Sequence, residues 1–163
     1  QVTQDGLDWS LEAAGLDDPA LRERLLALYW ELAAFPEVPQ MLSDLAAQGQ
    51  RLAILSNGSM GMLEGAVTSA GLDGQFEALL SVEEVGVFKP HRSVYDLVGS
   101  TMNVQPSEVL FVSSNCWDAC AGAAYGFVSV WVNRDGAPLD RLYGRPAHIL
   151  RDLSALPKFV AGL

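Results

Sequence analysis

Two short apolar runs limit what this chain can become. "RLAILSNG" (51–58) and "EVLFVSSN" (108–115) each close on small polar residues and feed directly into a helical stretch, "SMGMLEGAVTSAG" (59–71) and "CWDACAGAAYG" (116–126). An apolar run of strand length with no polar alternation predicts a strand buried on both faces. A helix after each predicts the alternation of a parallel sheet. "FVSVWVNR" (127–134) reads as a further strand, and "HILRDLSAL" (148–156) as an edge strand running into a terminal helix. The fold class is therefore α/β.

Helices precede this alternation. Asp18-Pro19 is a helix start, with Asp as N-cap and Pro in the first turn, and the sequence predicts a helix over 19–35. Leu21, Leu25, Leu28 and Leu32 form one stripe, and Leu26, Trp30 and Ala33 lie nearly opposite. A helix apolar on two faces is either sandwiched within a helical subdomain or forms a subunit interface. "VPQMLSDLAAQG" (38–49) predicts a second helix stopped by Gly49. "SVEEVGVFKP" (81–90) reads as a loop, and Pro90 is expected to open the helix "HRSVYDLVGSTM" (91–102).

Composition excludes several function classes. The 163 residues suffice for one domain with a real core, and half of them are hydrophobic. The formal net charge of −10, without a Lys/Arg cluster, argues against a nucleic-acid partner. No apolar run approaches a membrane span, so no membrane partner is expected either. Cys116 and Cys120 share a helix face. They read as packing residues of a reducing cytoplasm, with a redox role as the alternative. His91 and His148 carry no functional signal and read as surface or loop residues.

Open parallel sheets bind ligands at the carboxyl ends of their strands. Here one strand ends in Ser56-Asn57-Gly58 and another in Ser113-Ser114-Asn115. Each brings hydroxyl and amide groups to one edge, beside a helix N-terminus that favours an anion. Lys89 is held extended by Pro90 and can lean over that edge, followed by Tyr95. Asp118, one turn into the helix after Asn115, can bend back towards Lys89. Each residue alone has a structural reading, as a turn, cap, surface charge, core residue or helix-dipole partner. Their convergence on one edge favours a site.

The series Ser56-Asn57-Gly58, then Lys89-Pro90 with Tyr95, then "FVSSNCWDACAGAAYGF" (111–127) resembles the haloacid dehalogenase superfamily, and more narrowly its L-2-haloacid dehalogenases. The resemblance implies a Rossmann-like parallel core over 37–163, with 1–36 part of a helical cap subdomain. It implies displacement of halide from an (S)-2-haloalkanoate by an aspartate, then hydrolysis of the ester to an (R)-2-hydroxy acid. Ser56 would bind the substrate carboxylate, Asn57 would line the halide side, and Lys89 would supply positive charge. Ser113, Asn115 and Asp118 would hold water, Tyr95 would order the network, and Trp117 would form an apolar wall. Phosphatase members carry paired aspartates for Mg²⁺ at the matching junction, where this sequence keeps only Asp118. A hard divalent ion needs several anionic oxygens, so no metal and no cofactor is expected. The resemblance also implies a cytoplasmic homodimer.

The family's nucleophile lies in an Asp-x-Tyr-Gly-Thr type motif, and these 163 residues contain none. Nor is there a counterpart of its halide-binding arginine in the cap. The expectation is that the nucleophile strand, central between those ending in Ser56 and Ser113, belongs to an N-terminal segment that is cut off, not seen here or supplied separately. The alternatives are a Mg²⁺-dependent phosphatase-like member and an inactive fragment acting as a dimerising module.

Overall fold

The computed structural model describes residues 2–163. Helices α1 (Val2–Ala13) and α2 (Pro19–Ala27) come first, and neither contains a buried residue. They are tied together by the ion pair between Arg22 and Asp8. Asp18 caps α2 as expected, accepting from the Leu21 N–H at 2.9 Å, and Pro19 is its first residue.

The helix expected over 19–35 ends at Ala27. Hydrogen-bonded turns continue to Trp30, and residues 31–35 are irregular. Among the described residues Leu28, Trp30 and Leu32 of the two stripes find no covering structure that buries them, so little offsets the cost of extending the helix. Trp30 instead lies over α4 (Met60–Ser69), where a Cβ built on Gly65 would come within 2.9 Å of the indole. Leu28, Tyr29, Trp30, Leu32 and Phe35 remain substantially exposed.

The remaining elements are α3 (Val38–Ala47), β1 (Ala53–Ser56), α4, β2 (Ala78–Ser81), α5 (Arg92–Met102), β3 (Leu110–Ser113), α6 (Cys116–Tyr125), β4 (Val128–Val132), β5 (His148–Leu150) and α7 (Leu156–Val160), and all but β2 follow the expected order. Gly49 and Gly71 stop α3 and α4 with φ of +75° and +67°, which other residues adopt only with strain. Strand β2 was not anticipated; its "ALLS" is only four residues long and is followed directly by a 3₁₀ turn, Val82–Glu84. Pro90 does not open α5. The Lys89-Pro90 peptide is cis, and His91 is the N-cap, its Nδ1 accepting from the Ser93 N–H at 3.3 Å. His91 is therefore an exposed helix cap, while exposed His148 lies in β5 with its ring 4.3 Å from that of Phe159.

All strand pairs are parallel, but they form two sheets rather than one: β1–β2, and β3–β4–β5. No ladder joins β1 to β3 among the described residues. Their side chains nonetheless enter common cores. One core gathers Leu80, Tyr95, Val98, Met102, Phe111 and Phe127, with Leu55 of β1 packed against it. The other gathers Met41, Leu42, Leu45 and Leu156, flanked by Leu52 before β1 and by Leu110 and Val112 of β3. In β3, Phe111 joins one core and its neighbours the other, as the two-residue period of a strand covered on both faces requires.

Candidate active site

The carboxyl ends of β1 and β3 bring the expected side chains together around Lys89 and Asp118. The Lys89 ammonium donates to Asp118 Oδ2 at 2.7 Å and to the Leu55 carbonyl at 3.1 Å. These side chains are only 9% and 3% exposed, so the pair is buried, and neither is a solvated surface charge. Burial of a charge pair is tolerated where further hydrogen bonds satisfy it. Asp118 has them: Oδ1 accepts from the Tyr95 hydroxyl at 2.9 Å, and Oδ2 also accepts from the Ser113 hydroxyl at 3.0 Å.

Each partner is positioned by its own element. Tyr95, 1% exposed on α5, is held by the rings of Phe111, Tyr125 and Phe127 with centroids 5.4–5.9 Å away. Burial, followed by the Asp118 charge and hydrogen bond, pushes the Tyr95 hydroxyl far above the usual tyrosine range. It is a proton donor to Asp118 throughout the working pH range. Asp118 is set by the first turn of α6, whose two initial i→i+3 and i→i+4 bonds run from Asp118 and Ala119 to the Asn115 carbonyl. The Lys89 ammonium lies 5.6 Å from the Phe111 ring centroid. Two acceptors take two of its three N–H bonds, which leaves one direction without a protein acceptor among the described residues.

Ser56 and Asn57 do turn chemistry as well as facing the edge. The Ser56 hydroxyl accepts from the Gly58 N–H at 3.0 Å, and Asn57 Oδ1 accepts from the Lys89 N–H at 2.9 Å. Asn57 thus fixes the backbone that carries the lysine. Asn115 enters through its backbone, its N–H donating to the Ser113 hydroxyl at 3.2 Å, while its side chain does not cap α6. Trp117 is half-buried in the first turn of α6 and makes no polar contact with the network. Among the described residues no three His, Cys, Asp or Glu side chains converge as metal ligands; Asp118 faces Lys89, and the Glu83 carboxylate accepts from the Met60 N–H.

The sequence reading missed Ser81 and Glu83. Ser81 is fully buried, pairs with Ser56 in the β1–β2 register, and donates to the Gly58 carbonyl at 2.8 Å. Glu83 Oε2 accepts from the Met60 N–H at 2.8 Å. A serine closing the "ALLS" run, like those closing the other two runs, was the available signal.

Chemically, the edge offers a dry cation with a free donor direction, hydroxyls beside it, and a carboxylate locked by three donors. That suits an anionic small molecule whose neighbouring atom undergoes substitution.

Comparison with known proteins agrees. The sequence pattern of haloacid dehalogenase-like hydrolases matches residues 3–126. The chain is 40% identical to (S)-2-haloacid dehalogenase 1 of Pseudomonas sp. (strain CBS-3) over 164 aligned positions, covering 100% of this chain and 72% of that protein. A crystal structure of an L-2-haloacid dehalogenase superimposes with a TM-score of 0.95 at 39% identity, over 98% of this chain and 71% of the other. The L-2-haloacid dehalogenase of Xanthobacter autotrophicus with chloropropionic acid covalently bound gives 0.89 at 33% identity, over 99% and 75%.

Proposed function

The chain belongs to the haloacid dehalogenase-like hydrolases, and from that premise we propose that it acts as an (S)-2-haloacid dehalogenase. The single observation that carries this reading is the buried Lys89–Asp118 pair, with Tyr95 and Ser113 donating to the same carboxylate. Relatives and structural neighbours bearing that activity by name support it over a phosphatase.

In this reading an aspartate attacks the α-carbon, the carbon–halogen bond breaks, and halide leaves as an aspartyl ester forms. Water then adds to the ester carbonyl and releases the 2-hydroxy acid, regenerating the aspartate. The free N–H direction of Lys89 meets the substrate carboxylate and the attacking aspartate. Ser56 donates to the substrate carboxylate, and Asn57 lines the halide side while holding the Lys89 backbone. Ser113, Asn115 and Asp118 hold the hydrolytic water, ordered by Tyr95, and Trp117 walls the halide from solvent. The nucleophile would come from a strand lying between β1 and β3, whose edges are unpaired while their side chains share two cores.

In this reading the reaction uses no metal, because Asp118 is committed to Lys89 and Glu83 to the Met60 N–H. The reading takes 1–36 as part of a cap and 37–163 as the core of a cytoplasmic homodimer. Its acidity and lack of a basic cluster fit a small-molecule substrate and no nucleic-acid or membrane partner. No described helix is long and apolar enough to cross a membrane.

The test is halide release from (S)-2-chloropropionate in the presence of EDTA. Release that survives the chelator, with inversion to the (R)-2-hydroxy acid, is the expected result. Phosphate release dependent on Mg²⁺, without dehalogenation, would sink the reading and favour the phosphatase.

A further inference from the structure

The two helix N-termini at this edge are not equivalent. Helix α6 has no side-chain cap. Helix α4 has two: the Ser59 hydroxyl accepts from the Met62 N–H at 3.3 Å, and the Glu83 carboxylate reaches across from the 3₁₀ turn after β2 to accept from the Met60 N–H at 2.8 Å. Helix N-termini carry partial positive charge and free N–H groups, so they attract anions. Here the anion is the chain's own.

The same corner holds the rest of the turn. Ser81, with no exposed surface, donates to the Gly58 carbonyl at 2.8 Å and accepts from the Glu83 N–H at 3.1 Å. One hydroxyl therefore fixes both the turn and the residue that caps the helix after it. The Ser56 hydroxyl closes the turn from inside, on the Gly58 N–H. Asn57, between these points, grips the Lys89 backbone. A chain of contacts thus runs from Glu83 and Ser81, through residues 56–60, to Lys89.

We propose that Ser81 and Glu83 are positioning residues for the Ser56-Asn57-Gly58 turn, and that the Glu83 carboxylate is a built-in anion that closes the α4 N-terminus to external anions. The inference rests on the proposed function for its consequence: the substrate carboxylate is directed to Ser56 and Lys89 and not to the helix end. Electrostatics gives the reason. An anion already seated on the Met60 N–H repels a second one, and a dianion more strongly than a monoanion. The site therefore favours monocarboxylates over phosphate esters at the turn where an external anion was expected to sit.

The test uses the full chain and amide NMR, without reference to dehalogenation. In the wild-type protein the Met60 amide is expected to be protected from exchange by the Glu83 carboxylate. Glu83→Gln keeps an acceptor and should leave Met60 protected. Glu83→Ala should speed exchange at Gly58, Ser59 and Met60 by roughly five- to tenfold, the effect of losing one hydrogen bond. Inorganic phosphate should then shift the Met60 and Gly61 resonances of Glu83→Ala and leave those of the wild type in place. Ser81→Ala should speed Gly58 exchange even with Glu83 present. Met60 exchange unchanged in Glu83→Ala, or phosphate shifts at Met60 and Gly61 as large in the wild type as in Glu83→Ala, would overturn the proposal. Protein that carries the nucleophile strand yet releases no halide, with phosphate shifts confined to Glu83→Ala, would overturn the proposed function and leave the role of Glu83 standing.

Discussion

Replacing Lys89 by Met should have two separable effects. Loss of the buried Lys89 cation should lower halide release by about two to three orders of magnitude, the usual cost of removing a preorganised electrostatic group. It should also destabilise the fold by about 3–5 kcal/mol, because Asp118 would remain buried without its counter-charge. The double variant Lys89→Met/Asp118→Leu should recover much of that stability and none of the activity, measured by urea unfolding beside halide release. A double variant no more stable than the single one would show that the pair does not carry the penalty. Tyr95 supplies a pH test. Its folded-state pKa is raised, so its stabilisation is complete below the ordinary tyrosine value near 10 and is lost as pH rises beyond it, where the unfolded chain ionises first. Tyr95→Phe should flatten the alkaline decline in stability. These residues were legible because Lys-Pro, a polar strand end and a first-turn Asp are each readable signals. Ser81 had only the weak signal of a serine closing a four-residue run, and Glu83 had none, because nothing in a 3₁₀ turn announces which helix it will cap.

Elements are fixed by how closely they approach. Helix α6 lies against β3 because Gly122 has no side chain; a Cβ there would sit 2.5 Å from Cδ1 of Phe111. Gly122→Ala must therefore move either the ring or the helix that carries Asp118. A loss of about 1–3 kcal/mol is expected from such overpacking, read as a lower unfolding midpoint. Halide release should fall with it, since α6 sets the Asp118 position. An unchanged midpoint would mean that the ring relaxes freely. The strand–helix alternation was legible in continuous apolar runs and Gly stops. The end of α2 was not. Its two apolar stripes promised burial, but Trp30 found its partner on Gly61 and Gly65 of another helix, a contact between residues more than thirty positions apart.

On the scale of the whole molecule, two features govern behaviour. The segment leading into the core is fastened where Arg134, after β4, stacks 3.7 Å from the centroid of Phe35 and donates to Glu37 Oε1 at 2.5 Å. That Arg134 hydrogen bond is the first cause holding the Glu37 carboxyl below the ordinary glutamate range. Its contribution is present at neutral pH and is lost as pH falls through that depressed value. Arg134→Gln should make stability less sensitive to acid once the pH falls below the ordinary glutamate value of about 4.5, and should speed amide exchange over residues 31–37. The second feature is the exposed cluster Leu28, Tyr29, Trp30, Leu32 and Phe35. If it forms the homodimer interface, Trp30→Glu should shift sedimentation towards the monomer; an unchanged oligomer would place the interface elsewhere.

The sequence by itself determined the local rules: which runs are strands, where Asp18 and the glycines start and stop helices, and which polar groups stand at the strand ends. Those follow from backbone sterics, apolar periodicity and capping, all of which act over a few residues. Only the tertiary structure decided that Lys89 and Asp118, 29 positions apart, are buried against each other. It also decided that β1 and β3 share cores without sharing a ladder, and that Glu83 occupies the end of α4. These depend on long-range packing, where burial turns ordinary surface charges into a paired site, and no local pattern encodes that burial.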